Sequence, residues 1–293
     1  MPRNSRRSKK YYKISKTIKF PLSSSEDKIA DWIELYTLFH YKTLSQEKLF
    51  SILREAFGEE PEENLISDVW SVLIYRKKLY GINGPYKIEE NKIIPQKKWS
   101  EIPTHAMNLI YSNYGVESFN DKGTKLFERY SGEAIKKYLN GNILVLGFPS
   151  NKNLAEHVEY IIELLNEEKG TKKPDSRKKD RGVDVIVWKS HGDTRSNNII
   201  ILFQCGVGKN WQSKKNIIVD SWRRYVAWAV EPGVGITMPA VISLENWEDK
   251  SDEYKLLIDR PRLYRLLVKT KLERNLKTEI VKWCKTRFKE IKN

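Results

Sequence analysis

The sequence predicts an α/β (α+β) chain in two parts: a mostly helical N-terminal domain, then a core of mixed sheet flanked by helices. Three observations predict this. Apolar residues recur at helical spacing through the first third, residues 183–188 and 199–205 are β-branched apolar runs, and amphipathic helical stretches lie on both sides of those runs. With 293 residues, 40% of them hydrophobic, the chain is long enough for two domains.

Residues 1–22 read as a flexible basic arm. Eight Lys or Arg, Arg6 and Arg7 among them, precede residue 20 with no acidic residue, and Tyr11 and Tyr12 sit in their midst. Non-specific phosphate contact and a tail that aids solubility are equally good readings. Residues 23–115 read as the helical domain. Ser23-Ser24-Ser25-Glu26 offers an N-cap before a helical pattern through Ile29, Trp32, Ile33, Tyr36 and Phe39. Ser45 opens a second helix that Gly58 and Pro61 stop, and residues 64–80 form a third, stopped by Gly81. Residues 86–95 look like a short hairpin around Glu90-Asn91. A helix-turn-helix with a wing and a helical cap that never touches DNA both fit. Residues around Pro103 and Gly115 read as a looser region.

Residues 116–293 read as the second domain. Residues 124–139 form an amphipathic helix with a stripe of Phe127, Tyr130, Ala134 and Tyr138, and Asn153 caps another over 154–166. A charged loop over 169–181 leads into the two apolar runs. Residues 217–229 read as a helix, 234–242 as a strand, and 262–291 as two helices.

The formal charge of +15, from 53 Lys and Arg against 38 Asp and Glu, favours polyanionic partners, with DNA first. Charge alone leaves open an anionic membrane or a merely soluble basic protein. Two cysteines, Cys205 and Cys284, are too few for a disulfide framework and fit a reducing compartment. Four isolated histidines (His40, His105, His157, His191) leave little from which to build a zinc site or a Ser-His-Asp triad. No run of about 18 apolar residues occurs, so the expected location is cytoplasmic, with no membrane partner.

Asp184 is the one acidic residue in an otherwise apolar run, and burial of a lone carboxylate costs several kcal/mol unless something compensates it. Gln204 lies near the end of the next run. Antiparallel pairing about residue 194, inside the polar segment 189–198, places Asp184 opposite Gln204. By two-residue alternation Asp184 would share a face with Ile186 and Trp188, and Gln204 with Leu202 and Ile200.

The runs 179–188 (KDRGVDVIVW) and 203–211 (FQCGVGKNW), after a helix bearing a glutamate, resemble the PD-(D/E)XK nuclease superfamily. The likeness is nearest to Mrr-like restriction endonucleases with a glutamine in the motif, and spans about residues 120–245. The resemblance implies a restriction-endonuclease-like core and a metal-dependent DNA endonuclease serving restriction or anti-phage defence. It implies Mg²⁺ (or Mn²⁺) held by Asp184, Gln204 and a helical glutamate. Glu128, at the rim of its helix's buried face, is preferred to Glu159, with a surface salt bridge the plain alternative for both. The resemblance also implies a catalytic lysine, yet its usual place holds Gly206. Lys209, beyond the glycines, is the candidate replacement, with Lys214, Lys215 or impaired catalysis as alternatives. Lys209, Asn210, Trp211, Lys214, Lys215, Arg223 and Arg224, with Arg6 and Arg7 of the arm, are the expected nucleic-acid contacts.

Cys205 reads as a small buried residue, not a nucleophile. Gly206–Lys209 lacks the spacing of a phosphate loop. Trp222 and Trp228 with Tyr225 read as core. A catalytically impaired DNA-binding protein and a structural subunit of a defence or repair complex are the competing functions. Protein partners of a defence system and a homodimer are further expectations.

Overall fold

Local signals account for most of the helical starts and stops. In the computed structural model, which describes residues 11–12, 18–21, 25–116, 123–146, 153–174, 182–208, 211 and 216–292, the chain clusters into two compact units. The first comprises residues 1–115 with 280–293, and the second residues 116–279. Residues 280–293 thus group with the first unit, whereas the sequence reading has them in the second.

In the first unit, β1 (Tyr11–Tyr12) pairs antiparallel with β2 (Phe20–Pro21). Ile18 and Phe20 are fully buried, Phe20 standing edge-on to Trp32 at 5.1 Å, so the end of the expected arm belongs to the core. Arg6 and Arg7 lie outside the described residues. Then come α1 (Glu26–His40), β3 (Leu44–Ser45), α2 (Gln46–Phe57), α3 (Leu65–Tyr80), β4 (Tyr86–Glu89) and β5 (Lys92–Pro95). Ser45 caps α2 by accepting from the Lys48 amide, and Gly58 ends it at φ 78°. The hairpin turns at Glu90-Asn91 as expected, with Glu90 at φ 49°, and β3 adds to it in the order β3-β5-β4. Helix-turn-helix followed by a wing is the order of these elements.

The region expected to be loose is α4 (Pro103–Tyr114), and every residue of it is buried. A helix enclosed on all sides has no polar face, so its sequence shows no amphipathic period. Polar side chains inside this unit are tied together. Arg76, 1% exposed, donates to Asp31 at 2.8 Å, to Glu34 at 3.0 Å and to Asp27 at 2.8 Å. Tyr80 donates to Glu34 at 2.7 Å, and Ser112 of α4 donates to Asp31.

The second unit begins with α5 (Gly123–Leu139), β6 (Asn142–Val145), α6 (Leu154–Leu165) and β7 (Glu168–Lys169). Asn153 and Glu156 form a full capping box on α6. Tyr138, assigned to the buried stripe of α5 from sequence, is 57% exposed, because α5 buries Phe127, Tyr130, Ala134 and Ile135 one turn earlier. Next come β8 (Val185–Lys189), β9 (Ile199–Cys205), α7 (Val219–Arg223), β10 (Val226–Ala227), β11 (Gly233–Thr237), α8 (Trp247–Tyr254), β12 (Leu256–Ile258) and α9 (Arg260–Leu267), and then α10 (Arg274–Lys292) runs on into the first unit.

The core is a mixed five-stranded sheet in the order β12-β11-β9-β8-β6. β6, β8 and β9 run antiparallel in turn, while β9, β11 and β12 are parallel. This is the mixed sheet with flanking helices that the sequence predicts. Ile186, Trp188, Ile200 and Leu202 enter one core cluster with Val158 and Ile161 of α6 and Trp222 of α7. Complete burial of each such side chain contributes about 1.5–3 kcal/mol. The helix expected over 217–229 shrinks to α7, because the chain turns after Arg223 to pair β10 with β7. Among the described residues, no helix is long and apolar enough to cross a membrane.

Candidate active site

The pairing of β8 with β9 follows the predicted register: Val185 faces Phe203, Ile186 faces Leu202, and Trp188 faces Ile200. At Asp184 the ladder changes. The Asp184 amide donates to Phe203 O at 2.9 Å, so Asp184 and Val185 both stand against Phe203, as in a bulge. Val183 and Ile186 then fall in one core cluster, although strict alternation would send residues three apart to opposite faces. Alternation therefore breaks before Asp184 is reached, and the expected sharing of a face by Asp184, Ile186 and Trp188 does not follow from the register of β8.

Asp184 is half-buried, and its Oδ2 accepts from the Cys205 amide at 2.6 Å. Its carbonyl accepts from the Leu146 amide at 2.9 Å, which ties the ends of β6, β8 and β9 together. The carboxylate therefore stands over the peptide that joins Gln204 to Cys205. Gln204 is 8% exposed, and its Oε1 is buried with no hydrogen-bond partner among the described residues. On the other side, Gln204 Nε2 approaches Gly182, where an added Cβ would stand 2.9 Å away. Gly182 also holds φ 81°, a conformation that disfavours any residue with a side chain.

Glu128 lies on α5 about 6 Å along the helix before Gly132, which packs against Ile143, Val145 and Val185. Glu128 is 8% exposed. No group of three or more His, Cys, Asp or Glu among the described residues is arranged to hold a metal ion.

Gly206 occupies the place at which the resemblance leads one to expect lysine. A Cβ there would stand 3.1 Å from Trp211 Cβ and 3.2 Å from Ile236 Cδ1, so a side chain would fit only if these neighbours yielded by a few tenths of an ångström. Lys209, Asn210, Lys214 and Lys215 lie outside the described residues. Trp211 is 9% exposed, clusters with Ile236, Met238 and Leu257, and its carbonyl accepts from the Tyr254 hydroxyl. It is a core residue, which corrects its place among the nucleic-acid contacts. Arg223 is exposed but pairs with Asp220 at 3.4 Å and with Glu231, while Arg224 is exposed on the adjoining turn. Cys205 is buried, with the Thr237 hydroxyl 3.4 Å from its sulfur.

Besides Asp31 and Glu34, two further buried carboxyls escaped the sequence reading. Glu167 is 6% exposed and accepts from the Ala229 amide at 2.7 Å, and burial raises its pKa against that hydrogen bond. Asp259 caps α9, next to the fully buried Arg260. Burial pushes the Asp259 carboxyl up to about 6, against hydrogen bonds from Arg262 and Ile242 and the charges of Arg262 and Arg260. Asp259-Arg260-Pro261 is a helix-start signal in its own right, an Asp N-cap before a first-turn proline.

No known family profile matches the chain, nor does any curated protein. Among solved structures, the chain is distantly similar to the MspJI restriction endonuclease in complex with a 27-mer oligonucleotide, at 15% identity and a TM-score of 0.31. The match covers 67% of this chain and spans 37% of that one.

Proposed function

We propose that the chain is a metal-dependent DNA endonuclease whose site is the end of the sheet that carries Asp184 and Gln204. One observation carries the reading. The Asp184 carboxylate accepts from the amide of the Gln204–Cys205 peptide, and the Gln204 side-chain oxygen is buried with no hydrogen-bond partner among the described residues. A buried acceptor left unsatisfied costs about 1–3 kcal/mol, and a bound cation removes that cost.

The donor set suits a hard cation. Asp184 and Gln204 would hold it, with Glu128 approaching from α5, and Mg²⁺ commonly takes one or two carboxylates while keeping waters for substrate phosphate. Such an ion supplies an activated water and neutralises charge that builds on the phosphate oxygens. The chain's own residues do the rest. Asp184 is fixed by the Cys205 amide, Gly182 lets the backbone approach Gln204, and the net charge of +15 attracts the phosphodiester backbone. Lys209 is the proposed lysine of the reaction, since position 206 holds glycine. Restriction or defence against foreign DNA is the role that such an activity serves.

The glycine at position 206 also favours a second reading, a DNA-binding protein impaired in catalysis. Plasmid incubated with purified protein and Mg²⁺ or Mn²⁺ separates the two. Cutting that vanishes in Asp184→Ala, with gel-shift binding retained, supports the nuclease. Binding without cutting under either metal supports the second reading, and cutting by Asp184→Ala at the wild-type rate sinks the assignment of the site.

A further inference from the structure

The basic charge is unevenly distributed. Residues 25–115 carry eleven Lys and Arg against fourteen Asp and Glu, so the body of the helical unit is net acidic inside a strongly basic chain. Among the described residues of this unit, the part of α10 that belongs to it is strongly basic. Lys282, Lys285, Lys289 and Lys292 are all exposed, and spacings of three, four and three residues put them on one face over about 15 Å. The single acidic residue between positions 280 and 292, Glu290, pairs with Arg287 at 2.5 Å. Among the described residues, none of the four lysines has an ion pair. Lys42 extends the surface: the pKa of His40 is lowered by burial and then by the charges of Lys42 and Lys292, which places both amines around one imidazole. Tyr41, 48% exposed, lies beside them with the Lys98 ammonium 5.6 Å from its ring centre.

We infer that this lysine stripe is a track for the phosphate backbone of duplex DNA. Four like charges in a row repel one another unless a polyanion lies across them. A membrane surface fits less well. The large apolar residues of this stretch, Ile280, Trp283, Phe288 and Ile291, are buried and Val281 is half-buried, so the stripe has no large side chain to insert among lipid chains. Tyr41 is free to stack at the edge of the track. The inference rests on the proposed action on DNA, but concerns residues remote in sequence from Asp184 and Gln204.

The test replaces Lys282, Lys285, Lys289 and Lys292 together by Gln, and in a second variant by Arg, in the full chain. Binding to a labelled DNA duplex is followed by anisotropy between about 50 and 200 mM salt, where each neutralised phosphate contributes roughly 0.9 to the slope of log affinity against log salt. The Gln variant should lose roughly 3–4 from the slope while melting at the wild-type temperature, and the Arg variant should keep it. A Gln variant with the wild-type slope overturns the track, as does wild-type protein that binds phosphatidylserine vesicles but no duplex. Plasmid cutting measured alongside separates the two proposals. Cutting with an unchanged slope removes the track alone, whereas stripe-dependent binding without cutting removes the nuclease alone.

Discussion

Asp184 Oδ2 lies 2.6 Å from the backbone nitrogen of Cys205, so a side chain has taken over as acceptor where the strand ladder breaks. The bond fixes the carboxylate over the peptide next to Gln204, and it separates the structural role of Asp184 from its chemical one.

Asp184→Asn keeps an oxygen for the Cys205 amide but loses the charge. It should melt within a degree or two of wild type while plasmid cutting falls at least a hundredfold. Asp184→Ala should lose both cutting and about 1 kcal/mol of stability, the worth of one hydrogen bond. Equal activity in the Asn variant would show that the carboxylate serves the fold alone.

Gln204→Glu puts a charge at a site that is 8% exposed. Without metal its melting temperature at pH 8 should fall, because burial disfavours the ionised form. Added Mn²⁺ should restore it, and a ligand at a hundred times its dissociation constant contributes about 2.7 kcal/mol. If Mn²⁺ shifts the variant no more than wild type, Gln204 is not a ligand.

Asp259 gives a pH dependence unrelated to the site. Its folded pKa, raised to about 6, lies above the ordinary carboxylate value of 3.8, so its contribution is fully present below that value and is lost as pH rises through 6. Wild type should lose about 2 kcal/mol from this group between pH 4 and pH 8, at about 1.4 kcal/mol per pKa unit. Asp259→Asn keeps an acceptor for the α9 cap and should flatten that part of the profile in urea titrations. Parallel profiles would contradict the assignment.

Arg76→Met leaves Asp31 and Glu34 buried without their cation. A loss of about 3–5 kcal/mol in urea unfolding is expected. Adding Asp31→Asn and Glu34→Gln to Arg76→Met should recover much of it, because the uncompensated charges are then gone.

Where structure is local, the sequence was readable. Ser45 and Asn153 carry their own capping acceptors, Glu90-Asn91 makes its own turn, and the alternation of 199–205 against 185–189 set the β8–β9 register about residue 194. The helix α4 was hidden because enclosure removes the periodic contrast between faces, and the run 217–229 misled because helical spacing says nothing about a distant pairing such as that of β10 with β7.

The sequence by itself determined that an acid and an amide lie near the facing ends of two adjoining strands, since alternation and apolar runs are properties of neighbouring residues. Only the tertiary structure decided which amide the acid meets, how tightly position 206 is packed, and which lysines of α10 share an open face. Each of those depends on contacts between segments far apart in the chain: Asp184 with Phe203 and Cys205, Gly206 with Ile236, and the apolar side of α10 with the core it covers.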